Sequence, residues 1–189
     1  MFHGPHPHDD ARRRQQGHQR GLSPLTASLL FQIYQQLEAL PVKPVITIAL
    51  LAMNIVPHIT YIDVMGFDMS NVGQNCLHPA QIWTSATSGE VLAHRLLLSA
   101  FIHADDYHLY YNMLSLLYKG INLEREMGSP KFAQLVAFSL VTAHSLMVLL
   151  AWFLNAFCAY PATFNTCAVG FSAVLFALKY VWNRKVRCC

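Results

Sequence analysis

Hydrophobic positions along the chain gather into four long stretches, at about 44–62, 107–121, 132–157 and 167–182. The first contains no charged residue, and the third runs for 26 residues without one. About 20 apolar residues in a helix already cross the ~30 Å hydrocarbon core of a bilayer, so the third stretch predicts a transmembrane helix. The second stretch is shorter and carries His108, Tyr110, Tyr111 and Asn112. The fourth is interrupted by Lys179 near its end. Ahead of all four, residues 25–40 place Leu25, Leu29, Leu30, Ile33, Tyr34 and Leu37 on one side at helical spacing. That segment is too short and too polar to span. It predicts an amphipathic helix in the membrane interface, broken by Pro41 and Pro44. The pattern as a whole predicts an all-α polytopic membrane protein. It has about four transmembrane helices within 44–182, an N-terminal interfacial helix, a polar loop over 64–106 and a short basic tail at 183–189.

Residues 1–24 stand apart. They hold His3, His6, His8, His18, Arg12, Arg13, Arg14 and Arg20 among few apolar residues, which predicts a solvated, disordered head. The histidines are scattered and lack a cysteine partner, so no metal site is read there. No apolar run follows the arginines directly, so the head does not read as a signal peptide.

Composition agrees with a membrane domain. Of 189 residues 54% are hydrophobic and 12% charged, about half the roughly 25% charge of an average soluble domain. That balance excludes a disordered chain, a coiled coil, a basic nucleic-acid-binding domain and a disulfide-stapled miniprotein. The net charge of +3 says little until the charges are placed. With the N-terminus in the cytosol and each stretch crossing once, every basic residue except Arg95 falls on the cytosolic side. This positive-inside bias supports four crossings with both termini cytosolic. Cys76, Cys158 and Cys167 then map to the outer side. Cys158 and Cys167 flank a short loop and can pair if that side is oxidising. Cys188 and Cys189 sit in the cytosolic tail, where they suit lipidation or are simply free thiols.

Candidate chemistry concentrates in two stretches. His108 and Asn112 are four apart and project from one helix face. Two such donors can serve a developing oxyanion, or they can hold a bundle together by interhelical hydrogen bonds. Ser172 follows Gly170 at the outer end of the fourth stretch. A serine there is a nucleophile only if a base is in reach; otherwise it bonds back to its own turn. Arg95 can bridge to loop carboxylates or lipid headgroups. Gly120, Glu124, Arg125 and Gly128 form a compact turn signal after the second stretch, in which Glu124 and Arg125 tie helix ends.

Four motifs in order, RLLLSAFIHADDYHLYYNM, KGINLEREMGS, the long third stretch and CAVGFSAVLFALK, resemble the rhomboid family of intramembrane serine proteases. The wording is closest to the endoplasmic-reticulum rhomboid-domain-containing branch. The resemblance implies a six-helix core and hydrolysis of transmembrane protein substrates near the outer leaflet. It involves lipid but neither cofactor nor nucleic acid. Ser172 would be the nucleophile. His108 and Asn112 would form the oxyanion site with the Ser172 backbone N–H, and Gly170 would let substrate approach. Arg95 and residues 64–106 would correspond to the family's first lateral loop, and Glu124 and Arg125 to its structural turn. The resemblance also implies a histidine on a sixth span as the serine's base, in an A-H-x-x-G setting. No such motif occurs here, and the chain runs only 17 residues beyond Ser172. His103 and His144 are the remaining histidines in the region, and neither stands in that setting. The expectation is therefore a chain of a protease family that is inactive alone, truncated before the histidine-bearing span. The alternative is a non-catalytic rhomboid-like protein that binds transmembrane clients.

Overall fold

The computed structural model describes residues 22–60, 63–64, 67–69, 71–88 and 94–186. Most of the His- and Arg-rich head, together with Cys188 and Cys189, lies outside these residues. Among them the chain is helical, apart from one antiparallel pair of two-residue strands. The elements are α1 (Pro24–Glu38), α2 (Val45–Ile59), β1 (Asp63–Val64), β2 (Phe67–Asp68), α3 (Val72–Asn75), α4 (Pro79–Ser88), α5 (His94–Leu98), α6 (Asp106–Met127), α7 (Ser129–Cys158) and α8 (Ser172–Val186). A 3-10 turn at Ser99–Phe101 joins α5 to the backbone ahead of α6.

Helix α6 is the hub, packing against α1, α2, α7 and α8. Its buried residues Leu109, Asn112, Met113, Leu116, Leu117, Gly120, Ile121, Leu123 and Glu124 recur at three- and four-residue steps. One continuous stripe therefore meets its neighbours. Gly120 exists for close approach: a Cβ there would stand 2.7 Å from the Thr47 side chain of α2. Helix α1 starts where Ser23 accepts the Thr26 N–H at 3.1 Å, with Pro24 in the first turn. It lays Leu29 and Ile33 into the core, and Gln32 donates to the Tyr110 hydroxyl at 2.8 Å.

Helix α7 has 30 residues and a window of mean hydropathy 2.0, and only 33% of that window is buried within the molecule. Phe138, Val141, Leu146, Leu149, Leu150 and Phe157 are exposed on it. A core helix of a water-soluble domain would hide such residues; α7 presents them outward, as a helix facing lipid does. Among the described residues it is the one helix long and apolar enough to cross a membrane. Helix α2 is apolar but has 15 residues, about 22 Å of helix.

Three expectations change. The turn signal at 120–128 is mostly helix. α6 continues to Met127 and only Gly128, at φ 85° and ψ 151°, makes the corner into α7. Leucine, glutamate, arginine and methionine in LEREM favour helix strongly enough to override the one upstream glycine. The described residues of the polar loop 64–106 form α3, α4, α5 and the 3-10 turn, besides the short strand pair. Local caps such as Asn71, which accepts the Gln74 N–H at 3.2 Å, allow short helices there. The fourth stretch becomes helical only at Ser172, because Ala168 is paired with Leu77 in an antiparallel bridge.

Candidate functional site

The site forms where the N-terminus of α6 meets the N-terminus of α8. Asp105 caps α6, accepting the His108 N–H at 2.8 Å, and so fixes the first turn that carries His108. Asn112 sits one turn further on and is buried. One of its amide hydrogens returns to the His108 carbonyl at 2.9 Å, which leaves the other for a ligand. The His108 ring lies directly over Gly170, where a Cβ would come 2.5 Å from Cε1 and 2.7 Å from Nε2. Gly170 has φ 106°, and its N–H donates to the Ser99 carbonyl at 2.9 Å. Only glycine combines that dihedral with that contact.

Phe171 anchors the next step. It is fully buried, with its ring tilted against Phe101 at 5.9 Å between centroids. Ser172 then opens α8, half-buried, at the end where free backbone N–H groups and the helix dipole favour negative charge. Its Oγ makes no hydrogen bond among the described residues. The structure thus brings His108 onto Gly170, with Asn112 one turn along the same helix and Ser172 two residues beyond the glycine. Sequence reasoning missed Phe171, Phe101 and Ser99, which have no chemical signature and act by packing and one carbonyl.

The other histidines are differently engaged. His144 donates from Nδ1 to the Leu96 carbonyl, 2.6 Å away, and so ties the middle of α7 to α5. No hydrogen bond joins it to Ser172 among the described residues. His58 pairs with Asp106 at 2.7 Å and pins the outer end of α2 to the start of α6. His103 is 4% exposed, edge-on to His108 at 5.1 Å between centroids. It borders a cavity of about 110 Å³ shared with His58, Thr60, Met69 and Phe101. Its ring nitrogens make no well-formed hydrogen bond among the described residues; the Phe101 backbone contributes only weakly.

Burial first, then the neighbouring His108 and His58, push the His103 pKa from 6.5 down to about 3. The unfolded chain then binds a proton near pH 6.5 that the folded chain refuses, so stability is retained above that pH and falls progressively below it. Acidification from pH 7 to pH 5 is expected to lower the melting temperature of the detergent-solubilised protein. His103→Phe should flatten that dependence; an unchanged slope in the variant would remove His103 as its source.

Arg95 reaches no carboxylate among the described residues. Its Nη1 donates to the Cys76 carbonyl at 3.2 Å, within the lateral segment itself. Arg125 is exposed at the end of α6. Glu124, one residue earlier, is buried. Its carboxylate accepts from the Ile46 N–H at 2.9 Å, the Thr47 N–H and hydroxyl at 2.7 Å each, and the Ser129 hydroxyl at 2.7 Å. Cys158 does not pair with Cys167. It is free and exposed, while Cys167 is bonded to Cys76. The extension of α7 to Cys158 and the Leu77–Ala168 bridge bring the other two cysteines together instead. No group of metal-ligating side chains occurs among the described residues.

Fold and site together describe a helical membrane-type domain with a serine at the positive end of one helix, two residues after a glycine that carries the histidine ring of another. A family model for the Rhomboid domain matches residues 91–187, just over half of the chain, and the chain belongs to the rhomboid family. Rhomboid-related protein 4 of Homo sapiens is 53% identical over 90 residues, 47% of this chain and 28% of that protein. Rhomboid-like protein 14, mitochondrial, of Arabidopsis thaliana is 38% identical over 167 residues, 86% of this chain and 46% of that protein. Rhomboid-like protein 15 of Arabidopsis thaliana is 33% identical over 97 residues. The chain thus spans less than half the length of these relatives. No solved structure matches it.

Proposed function

We propose that this chain carries the nucleophile and oxyanion side of a rhomboid-type intramembrane serine endopeptidase acting on transmembrane protein substrates. The observation that carries the reading is the His108 ring seated on Gly170, two residues ahead of Ser172. A substrate carbonyl placed against Ser172 would meet the Ser172 backbone N–H, the free amide hydrogen of Asn112 and a His108 ring nitrogen. Such donors hold a tetrahedral oxyanion. A serine hydroxyl also needs a proton acceptor, and none contacts Oγ among the described residues. In this reading the base is supplied from outside residues 1–189, and these residues alone do not cleave.

The same reading keeps four crossings with both termini cytosolic, supported by the one-sided sorting of Lys and Arg. It places α1 at the membrane boundary, where Phe31 and Tyr34 are exposed. It puts the Ser172 end of the bundle toward the endoplasmic-reticulum lumen. A second reading is a non-catalytic protein that binds transmembrane clients.

The deciding experiment is cleavage of a transmembrane reporter in cells. The longest natural chain containing these residues should cleave it, and Ser172→Ala should abolish cleavage. The 189-residue chain should equal its own Ser172→Ala variant. Cleavage by the long chain that survives Ser172→Ala would overturn the nucleophile assignment. Serine-dependent cleavage by the 189-residue chain would overturn the external base. Binding of the reporter without cleavage by either chain would decide for the second reading.

A further inference from the structure

Two segments distant in sequence meet just ahead of Ser172. Leu77 and Ala168 exchange backbone hydrogen bonds of 2.8 and 3.0 Å, and the Ala80 N–H donates to the Phe164 carbonyl at 3.0 Å. Gly170 is tied to the same side by the Ser99 carbonyl. One covalent bond closes this patch, between Cys76 and Cys167, across 91 residues of chain. Its two ends differ in access: Cys76 is 1% exposed, whereas Cys167 is exposed.

We propose that the Cys76–Cys167 bond is a reducible clamp, and that its thiol–disulfide state decides whether the Leu77–Ala168 pairing holds the backbone that leads into Gly170 and Ser172. The non-covalent pairing is slight. Each backbone hydrogen bond contributes little net stability, and a lone two-stranded pairing is marginal in water. The loop that the bond closes is long, so opening it returns a large closure entropy, which the Leu77–Ala168 pairing then bears together with the Trp83–Trp152 stack at 4.8 Å and the His144–Leu96 hydrogen bond. The Ser99–Gly170 hydrogen bond lies at the end of the lateral segment 76–99. Release at Cys76 therefore loosens the Leu77–Ala168 pairing that leads into Gly170, while Leu96 stays tied to His144.

The chemistry balances with a dithiol as reductant. Its thiolate attacks the exposed Cys167 Sγ, the S–S bond breaks, and Cys76 leaves as a thiolate that takes a proton. The reductant's second thiol resolves the mixed disulfide. The reductant ends oxidised by two electrons, and both cysteines end as thiols. Formation is the reverse exchange, with a disulfide-bearing oxidoreductase as oxidant. An oxidising compartment keeps the clamp closed and a reducing one opens it. The proposal rests on the packing ahead of Ser172 and not on proteolysis, so its test reads structure.

Membranes holding the full chain are treated with a small maleimide to block free thiols, then reduced and labelled with a maleimide of high mass. Two cysteines should label only after reduction. Both labels should vanish in Cys76→Ser and in Cys167→Ser and persist in Cys158→Ser. In detergent, reduction should lower the melting temperature by roughly 10 °C and open residues 77–106 to protease. Cys76→Ser should start at the reduced value and no longer respond to reductant. If that variant fails to accumulate, a reductant titration of the wild-type chain gives the same reading. Labelling of Cys76 and Cys167 before reduction, pairing of Cys158 with Cys167, or a melting temperature and protease pattern indifferent to reductant would each overturn the clamp.

Discussion

Replacing Glu124 by alanine is expected to lower stability by about 3–5 kcal/mol, the largest loss from any single side chain in the bundle. Glu124 is 3% exposed and holds four donors from two other elements: both amides at the start of α2, the Thr47 hydroxyl and the Ser129 hydroxyl at the start of α7. Helix N-termini have N–H groups with no partner of their own, and α2 has no side-chain cap from its own flank. The carboxylate supplies that cap from another helix and places negative charge at the positive end of the dipole. Alanine would strand the donors in an apolar setting. Thermal unfolding in detergent should show the loss, with Arg125→Ala beside it as an exposed control that shifts little.

The same residue predicts an acid limb. Burial alone would raise the Glu124 pKa, but the hydrogen bonds from Ser129, Ile46 and Thr47 outweigh it and hold the carboxyl below its ordinary 4.5. A depressed folded pKa means the contribution is complete above pH 4.5 and is lost as pH falls below it, through the folded value. Glu124→Gln should melt lower at neutral pH and lose that part of the acid dependence. A variant with the wild-type acid slope would show that another group carries it.

Gly170→Ala is expected to cost about 2–4 kcal/mol and to abolish any Ser172-dependent chemistry. Two independent penalties act on one atom. The backbone sits at φ 106°, where an L side chain is strained, and the new Cβ would lie 2.5 Å from His108 Cε1. The ring must move, and with it a donor of the proposed oxyanion site. Gly73→Ala is the control, because its Cβ would meet only Asn71 Oδ1 at an ordinary 3.6 Å. Adding His108→Ala to Gly170→Ala should return the steric part of the lost stability and leave the dihedral part. That coupling separates the two causes in a double-mutant cycle. Full additivity of the two changes would mean that the ring and the glycine do not touch.

Much of the helical framework was legible in the sequence because it rests on periodicity. The charge-free run at 132–157 became α7, the apolar face at 25–40 became α1, and the second stretch carried α6. Their hydrophobic repeats are local signals that need no partner to be seen. Family membership was legible for a different reason: HADDYHLYYN, GINLER and AVGFS are short strings whose order survives without any structure. The polar segment 64–106 was read as loop because α3, α4 and α5 are too short to show a period. The cysteine partner was misassigned because nearness in sequence favoured Cys158. The extension of α7 carries that residue away, while the Leu77–Ala168 bridge brings Cys76 in.

Glu124 and Gly170 mark the division most clearly. The sequence by itself determined where apolar helices form, that a serine follows a glycine by two, and that a histidine and an asparagine share one helix face. These depend on spacings of two to four residues, within the reach of one turn. Tertiary structure alone decided that the glycine lies under the histidine, that the glutamate caps α2, a helix it does not belong to, and that Cys76 holds Cys167. Each of those pairings joins residues dozens of positions apart. Its energy exists only once buried polar groups have found partners across the packed faces, and the packing of the faces decides which partners those are.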